Sequence, residues 1–330
     1  MNMKKKKIIS LILIFLLVLG LAGCRGNQTE EKNNLDDVLN QTASALLTQV
    51  PEAGYGSVGG EWLVFGMARW DSGTLDDAWF EAYYDVVEGY VKDCKGVLET
   101  RKYTEYSRVV LALTAMGKDP ANVGGYNLLE PLADFEGITF QGINGPAYAL
   151  IALDSGNYEI PKVQGDGTQA TRDMYIDYLL SKEAEGGGWS LSGTGAADVD
   201  ATAIVLQALA RYQSNENVQA AVERGVNKLS ELQTEDGNFT SYDVQSSESV
   251  SQVIVALTEL GIDIADERFV KDGKTLEDKL LEFQAEDGGF RHTLDGESDL
   301  MATEQAFYAL IGLNRVQQGL PSLFYITPVV

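Results

Sequence analysis

Residues 187–211 read GGWSLSGTGAADVDATAIVLQALAR: a glycine turn, an aromatic, a polar loop with two aspartates, then an apolar helix. The same order returns at residues 237–260, GNFTSYDVQSSESVSQVIVALTEL, and at residues 288–313, GGFRHTLDGESDLMATEQAFYALIGL. A fixed order recurring about every fifty residues marks a repeat array, in which each unit buries its apolar face against the next. Working outward, helical periodicity begins at Leu35 and comes in pairs, an amphipathic helix followed by a more apolar one. The first members are expected near residues 36–49, 77–92, 126–135, 169–182, 217–233 and 275–284. The second members are expected to start near Gly60, Glu105, Gly145, Asp200, Ser249 and Thr303.

Aligned on each other, the second helices share a column of small residues: Gly66, Ala112, Ala152, Ala208, Ala256 and Gly312. Small side chains let helices approach closely, as an inner ring requires, whereas the first helices carry charge for a solvent-facing outer ring. Six outer and six inner helices in alternation predict an all-α fold, an (α/α)6 toroid over residues 35–315. No run reads as a sheet. Residues 24–34 read as a flexible polar tether and 316–330 as a C-terminal tail.

The chain has 330 residues, 45% of them hydrophobic, enough for one large core. Its net charge of −24 repels nucleic acid and argues against polyanionic ligands. The N-terminus is separate in character: Lys4 to Lys7 precede an apolar run, Ile8 to Leu19, and then Leu21-Ala22-Gly23-Cys24. A basic head, a short apolar stretch and small residues before a cleavage point make a secretory signal. Leu-Ala-Gly-Cys resembles the bacterial lipobox, which implies removal of residues 1–23, lipidation of Cys24 and a Gram-positive-type lipoprotein anchored on the outer face of the cell membrane. Only Cys94 then remains, so no internal disulfide forms.

The turn motifs carry a second resemblance. Gln233-Thr-Glu-Asp-Gly237-Asn-Phe239, Gln284-Ala-Glu-Asp-Gly288-Gly-Phe290 and Gly187-Gly188-Trp189 resemble the glutamine/aromatic repeats of the terpenoid cyclase and protein prenyltransferase superfamily, which also includes the cobalamin carriers. The resemblance covers residues 35–313 and implies the toroid fold, with glutamine and aromatic bracing the turns.

In such a barrel the inner helices run parallel, so their N-termini and positive dipole ends gather at one mouth. The ligand-binding rim is expected to include Glu61, Trp62, Tyr103, Glu105, Tyr106, Asn144, Tyr148, Asp200, Glu248 and Glu304, with Tyr55, Arg108, Asp198, Tyr242, Ser246 and His292 beside them. Aromatic, amide and carboxylate groups above an apolar floor suit an organic ligand. The competing reading is that polar residues such as Asp200, Ser249 and Thr303 are helix N-caps.

Asp198-Val-Asp200-Ala201 matches the first and third positions of the cyclase motif Asp-x-Asp-Asp but has Ala201 in the fourth, so Asp200 would lack the partner that sharpens its acidity. The prenyltransferase zinc needs Asp, Cys and His ligands; His292 is the chain's single histidine and neither it nor Cys94 stands in the motif, so no metal is expected. Asp198, Asp200, Glu248 and Glu304 remain as paired carboxylates for a terpene-cyclase-like or carbohydrate-active enzyme, since (α/α)6 barrels also host glycosidases and lyases. The reading favoured by the sequence is non-catalytic binding of a small molecule or cell-surface ligand at the mouth. A corrinoid is the ligand implied by the cobalamin carriers, although this chain lacks their second, β domain.

Overall fold

The computed structural model describes residues 26–70 and 75–326; the signal segment and Cys24 lie outside them. Among the described residues there are twelve α-helices in chain order: α1 (Gly26–Gln49), α2 (Trp62–Arg69), α3 (Asp77–Asp93), α4 (Thr104–Ala115), α5 (Phe135–Thr139), α6 (Asn144–Ser155), α7 (Arg172–Ser181), α8 (Val199–Leu209), α9 (Glu216–Leu232), α10 (Ser247–Leu260), α11 (Leu276–Leu281) and α12 (Leu300–Gln317). The even-numbered helices form the inner ring. Each packs on the next, from α2 to α4, α6, α8, α10 and α12, and α12 returns onto α2. The toroid is therefore closed.

Burial separates the rings as their sequences require. Inner α10 is buried continuously from Ser247 to Thr258, whereas outer α9 buries only Val218, Ala221, Val222, Gly225, Val226 and Leu229, one stripe at helical spacing. All six members of the small-residue column are buried. At Gly66 a side chain could not be accommodated, because a Cβ there would stand 2.9 Å from the ring of Phe307 on α12. Turn glycines close the outer ring in the same way: a Cβ on Gly187 would meet the Arg224 carbonyl of α9 at 2.8 Å, and one on Gly288 would meet the Gln41 carbonyl of α1 at 2.9 Å. The last turn thus lies against the first helix.

The repeated motifs are structural. Trp189, Phe239 and Phe290 are fully buried, and Gln233 donates to the carbonyls of Gly237 and Phe269, both at 3.0 Å. The Trp189 and Phe290 amides donate to the hydroxyls of Thr202 and Thr303 at 2.9 Å, tying each turn to the start of its inner helix. Asp198, Ser246 and Asp299 cap α8, α10 and α12. The caps are thus not Asp200, Ser249 and Thr303, the residues for which capping competed with ligand binding.

Four features differ from the sequence expectations. The tether expected over residues 24–34 is helical from Gly26, because Asn27–Asn34 contains neither proline nor glycine and runs straight into the amphipathic part of α1. The third outer helix is not at 126–135; a 3₁₀ turn at Glu130–Ala133 containing Pro131 and an extended Asp134 push it to the short α5. A two-stranded hairpin pairs Thr240 with Gln245 and Ser241 with Val244, its Tyr242–Asp243 turn held in the left-handed region with φ of 49° and 64°. Finally, residues 321–326 are folded against the end of the barrel opposite the mouth. Arg69 donates to the carbonyls of Ser322, Leu323 and Tyr325, Ile326 donates to Ser155 at 2.9 Å, and Phe324 stacks on Phe65.

The seam between α12 and α2 is also held by a buried acid. Glu304, 2% exposed, accepts the Gly59 amide at 2.8 Å. Burial pushes its carboxyl up to about 8, with the Gly59 bond opposing and the charges of Glu61 and Asp299 adding to the rise. A raised carboxyl keeps in the folded chain a proton that the unfolded chain releases near pH 4.3, so its contribution to stability falls as pH climbs from there to about 8, by up to about 1.4 kcal/mol per pH unit. Thermal melts from pH 5 to 8 should therefore show a falling Tm that flattens in Glu304→Gln, which retains an acceptor for Gly59. An unchanged slope in the variant would show that Glu304 is not the titrating group.

Candidate functional site

The six inner N-terminal turns converge. Glu61, just before α2, faces Arg108 of α4, whose guanidinium lies 3.4 Å from Glu61 and 2.5 Å from Glu105. Trp62 of α2 reaches inward to Tyr148 of α6, with ring centroids 6.1 Å apart, and to Tyr308 of α12 at 5.5 Å. Since α2 and α6 are not neighbours in the ring, these aromatics fill the axis. Beside them runs a chain of buried amides: Gln207 donates to Gln252, which donates to Gln305 at 2.8 Å and to the Tyr308 hydroxyl at 2.6 Å. Apolar rings and satisfied amides make a rigid floor.

Above the α6–α12 side of this floor lies a cavity of about 390 Å³, large enough for a ring-sized organic ligand. Tyr148, Asp200, Glu248, Gln252, His292 and Gln305 line it, and the hairpin supplies Ser241 and Tyr242. Glu248 is engaged by His292, whose Nδ1 lies 2.9 Å from Oε1. Asp200 is different: its Oδ1 is buried without a hydrogen-bond partner, and so is Ser241 Oγ. Burial pushes the Asp200 carboxyl up from the ordinary range, opposed by hydrogen bonding toward the Ser241 and Ser249 hydroxyls, which approach the carboxylate without closing a bond on Oδ1. Burial likewise raises the Tyr148 phenol to about 12, keeping it a neutral donor. A buried polar group without a partner is costly, so the Asp200–Ser241 pair marks where a ligand's hydroxyl or amide would be stabilising.

The structure sorts the expected residues. Asp200, Tyr148 and Glu248 meet in the cavity, and Trp62 stands behind Tyr148 without lining it. Asp198 does not join them: one carboxylate oxygen caps α8 by accepting the Ala201 amide at 2.9 Å, and the other accepts the Leu191 amide of the preceding loop at 3.2 Å. Glu61 and Glu304 are likewise occupied, accepting the amides of Gly56 and Gly59 to hold the irregular segment Ser57–Glu61. Glu105 is spent on Arg108. Asn144, at the start of α6, keeps a buried Oδ1 without a partner but does not line this cavity. Tyr103 and Tyr106 line a separate recess, in which the Tyr106 hydroxyl donates to the Glu99 carbonyl.

Gln252, Gln305, Ile204 and Met301 were not foreseen. They follow from Asp200, Glu248 and the α12 start at helical spacing, since 200/204, 248/252 and 301/305 are i,i+4 pairs on one face. Among the described residues no cluster of His, Cys, Asp and Glu could hold a metal ion, and no helix is long and apolar enough to cross a membrane.

The family model of the squalene-hopene cyclase C-terminal domain matches residues 177–266, which include α8, α9 and α10. Two solved structures share the architecture: an unsaturated glucuronyl hydrolase variant with the saccharide dGlcA-Glc-Rha-Glc (14% identity, TM-score 0.55) and the unsaturated glucuronyl hydrolase of Bacillus sp. GL1, responsible for degradation of glycosaminoglycan (15% identity, TM-score 0.53). Each covers 88% of this chain, which in turn covers 98% of each. No curated protein matches the chain in sequence. The family match gives residues 177–266 a likeness to the terpenoid cyclase and prenyltransferase superfamily of α/α toroids, and the solved structures share the chain's fold, an α/α toroid.

Proposed function

We propose that the protein is a lipoprotein held by lipidated Cys24 on the outer face of the cell membrane, whose toroid binds a saccharide at its mouth. The observation that carries the binding reading is the unpartnered, buried Asp200 Oδ1 in a cavity with aromatic and amide walls. Hydroxyl-rich rings satisfy such a site from both sides: their hydroxyls take up carboxyl, serine and amide groups, while their C–H faces rest on Tyr148. The two hydrolases of like fold act on saccharides, which supports the choice of ligand by analogy of fold. A corrinoid has support only from the resemblance to the cobalamin carriers, and it enters the test as a competing ligand.

A second reading has its own observation. Asp200, shifted toward the protonated acid, shares the cavity with Glu248, so one group can donate a proton to a glycosidic oxygen while the other accepts one from water. Binding and cleavage then differ in what Asp200→Asn removes. The isosteric amide keeps a hydrogen-bonding side chain but cannot act as an acid.

Thermal-shift titration of the soluble domain beginning after Cys24 should show a rise in Tm with neutral oligosaccharides and none with a corrinoid. Asp200→Ala should weaken saccharide binding about tenfold without lowering the Tm of the free protein, the cost of one buried hydrogen bond. Asp200→Asn should abolish any release of reducing ends while preserving binding if cleavage occurs. A Tm rise with corrinoids alone would overturn the saccharide reading. Metabolic labelling with palmitate should tag the full chain and fail in Cys24→Ser; labelling that persisted would remove the anchor.

A further inference from the structure

A second recess of about 380 Å³ lies at the start of α4, outside the ring axis. Three tyrosines, Tyr103, Tyr106 and Tyr126, line it together with the carboxylates of Glu99, Glu130 and Asp134, against the single ammonium of Lys95. Local sequence explains the clustering. Gly96, in the left-handed region at φ 79°, ends the turn after α3, and a Cβ there would stand 2.5 Å from the Tyr126 ring, so that ring is seated on bare backbone. A Cβ on Gly137 would meet both Asp134 Oδ2, at 2.7 Å, and Tyr103 Cζ, at 2.8 Å, so the carboxylate lies beside the phenol. Tyr103 and Tyr106 stand 5.7 Å apart, tilted by 47°.

Asp134 is the telling group. It occupies the N-cap position of α5, yet its side chain makes no capping bond, and its Oδ1 is buried without a partner. The tyrosines have other structural duties only in part: Tyr106 donates to the Glu99 carbonyl at 3.1 Å, while Tyr103 makes no such bond. Tilted aromatic rings with a spare carboxylate among them are the chemistry that holds an alkylammonium ion, whose charge is met by ring faces and whose methyl groups are met by ring carbons.

We propose that this recess binds an organic ammonium ion of the quaternary or methylated kind, with Tyr103, Tyr106 and Tyr126 as the cage and Asp134 as the counter-charge. The site is independent of the mouth: none of its residues lines the Asp200 cavity. The excess of acidic residues over the whole chain, net −24, raises the local concentration of such cations.

The test is calorimetric titration of the full chain with choline and with its uncharged isostere 3,3-dimethylbutanol. Saturable binding of choline and at least about tenfold weaker binding of the neutral compound are expected. Tyr103→Leu and Asp134→Asn should each weaken choline binding by about tenfold, with melts confirming that both variants fold, whereas Asp200→Ala should leave it unchanged. Equal affinity for the two compounds, or no heat with choline, would overturn the proposal. Loss of choline binding in Asp200→Ala would show that the ligand enters the mouth instead and would equally overturn it. None of these outcomes bears on saccharide binding, which Asp200→Ala reads separately.

Discussion

The structure depends on the seam where α12 returns to α2. Repeat proteins are stable by adding neighbours, and an open array leaves an apolar face at each end. Here the ends meet: Gly66 gives up its side chain so that Phe307 can lie against α2, and Glu304 accepts from Gly59 across the join. Closing the ring removes both unsatisfied faces at once. It also fixes the six inner N-terminal turns at one end, so the mouth is a consequence of closure rather than a separate invention.

Closure also decides which polar groups are free. Carboxylates at the mouth divide into those consumed by the frame and those left over. Asp198, Glu61 and Glu304 satisfy backbone amides that the turns leave exposed, and Glu105 neutralises Arg108. Asp200 serves none of these needs. The frame already has its cap in Asp198, two residues earlier, so Asp200 is not needed as the cap of α8, and its buried Oδ1 is held without a partner at an energetic cost. Groups kept in such a state are the ones a fold spares for a ligand.

Much of this was legible in the sequence. The spacing of Gly187, Gly237 and Gly288, each followed by an aromatic, gave the repeat. The alternation of amphipathic and apolar helices gave the two rings, and the small-residue column gave the close packing of the inner one. The mouth followed from parallel inner helices. Sequence alone did not separate Asp198 from Asp200, because a capping aspartate and a free one two residues apart look the same until the backbone is fixed. Nor did it show that Tyr103 and Tyr106 line a recess of their own rather than the mouth. The third outer helix lies elsewhere than residues 126–135 because Pro131 falls in the interior of that span, where it removes an α-helical hydrogen bond, and takes the first turn of a 3₁₀ helix instead. The hairpin was hidden because Tyr242-Asp243 is a poor match to the glycine-rich turns that advertise such structures.

The central claim is that the chain closes on itself, and amide hydrogen exchange reads it directly. In a closed ring the Gly59 amide, bonded to Glu304 across the seam, exchanges slowly, within reach of the amides of α10, and the Ile326 amide at the opposite end is protected through Ser155. Exchange of Gly59 at the rate of an unstructured amide while α10 stays protected would contradict closure, and with it the mouth and its ligand.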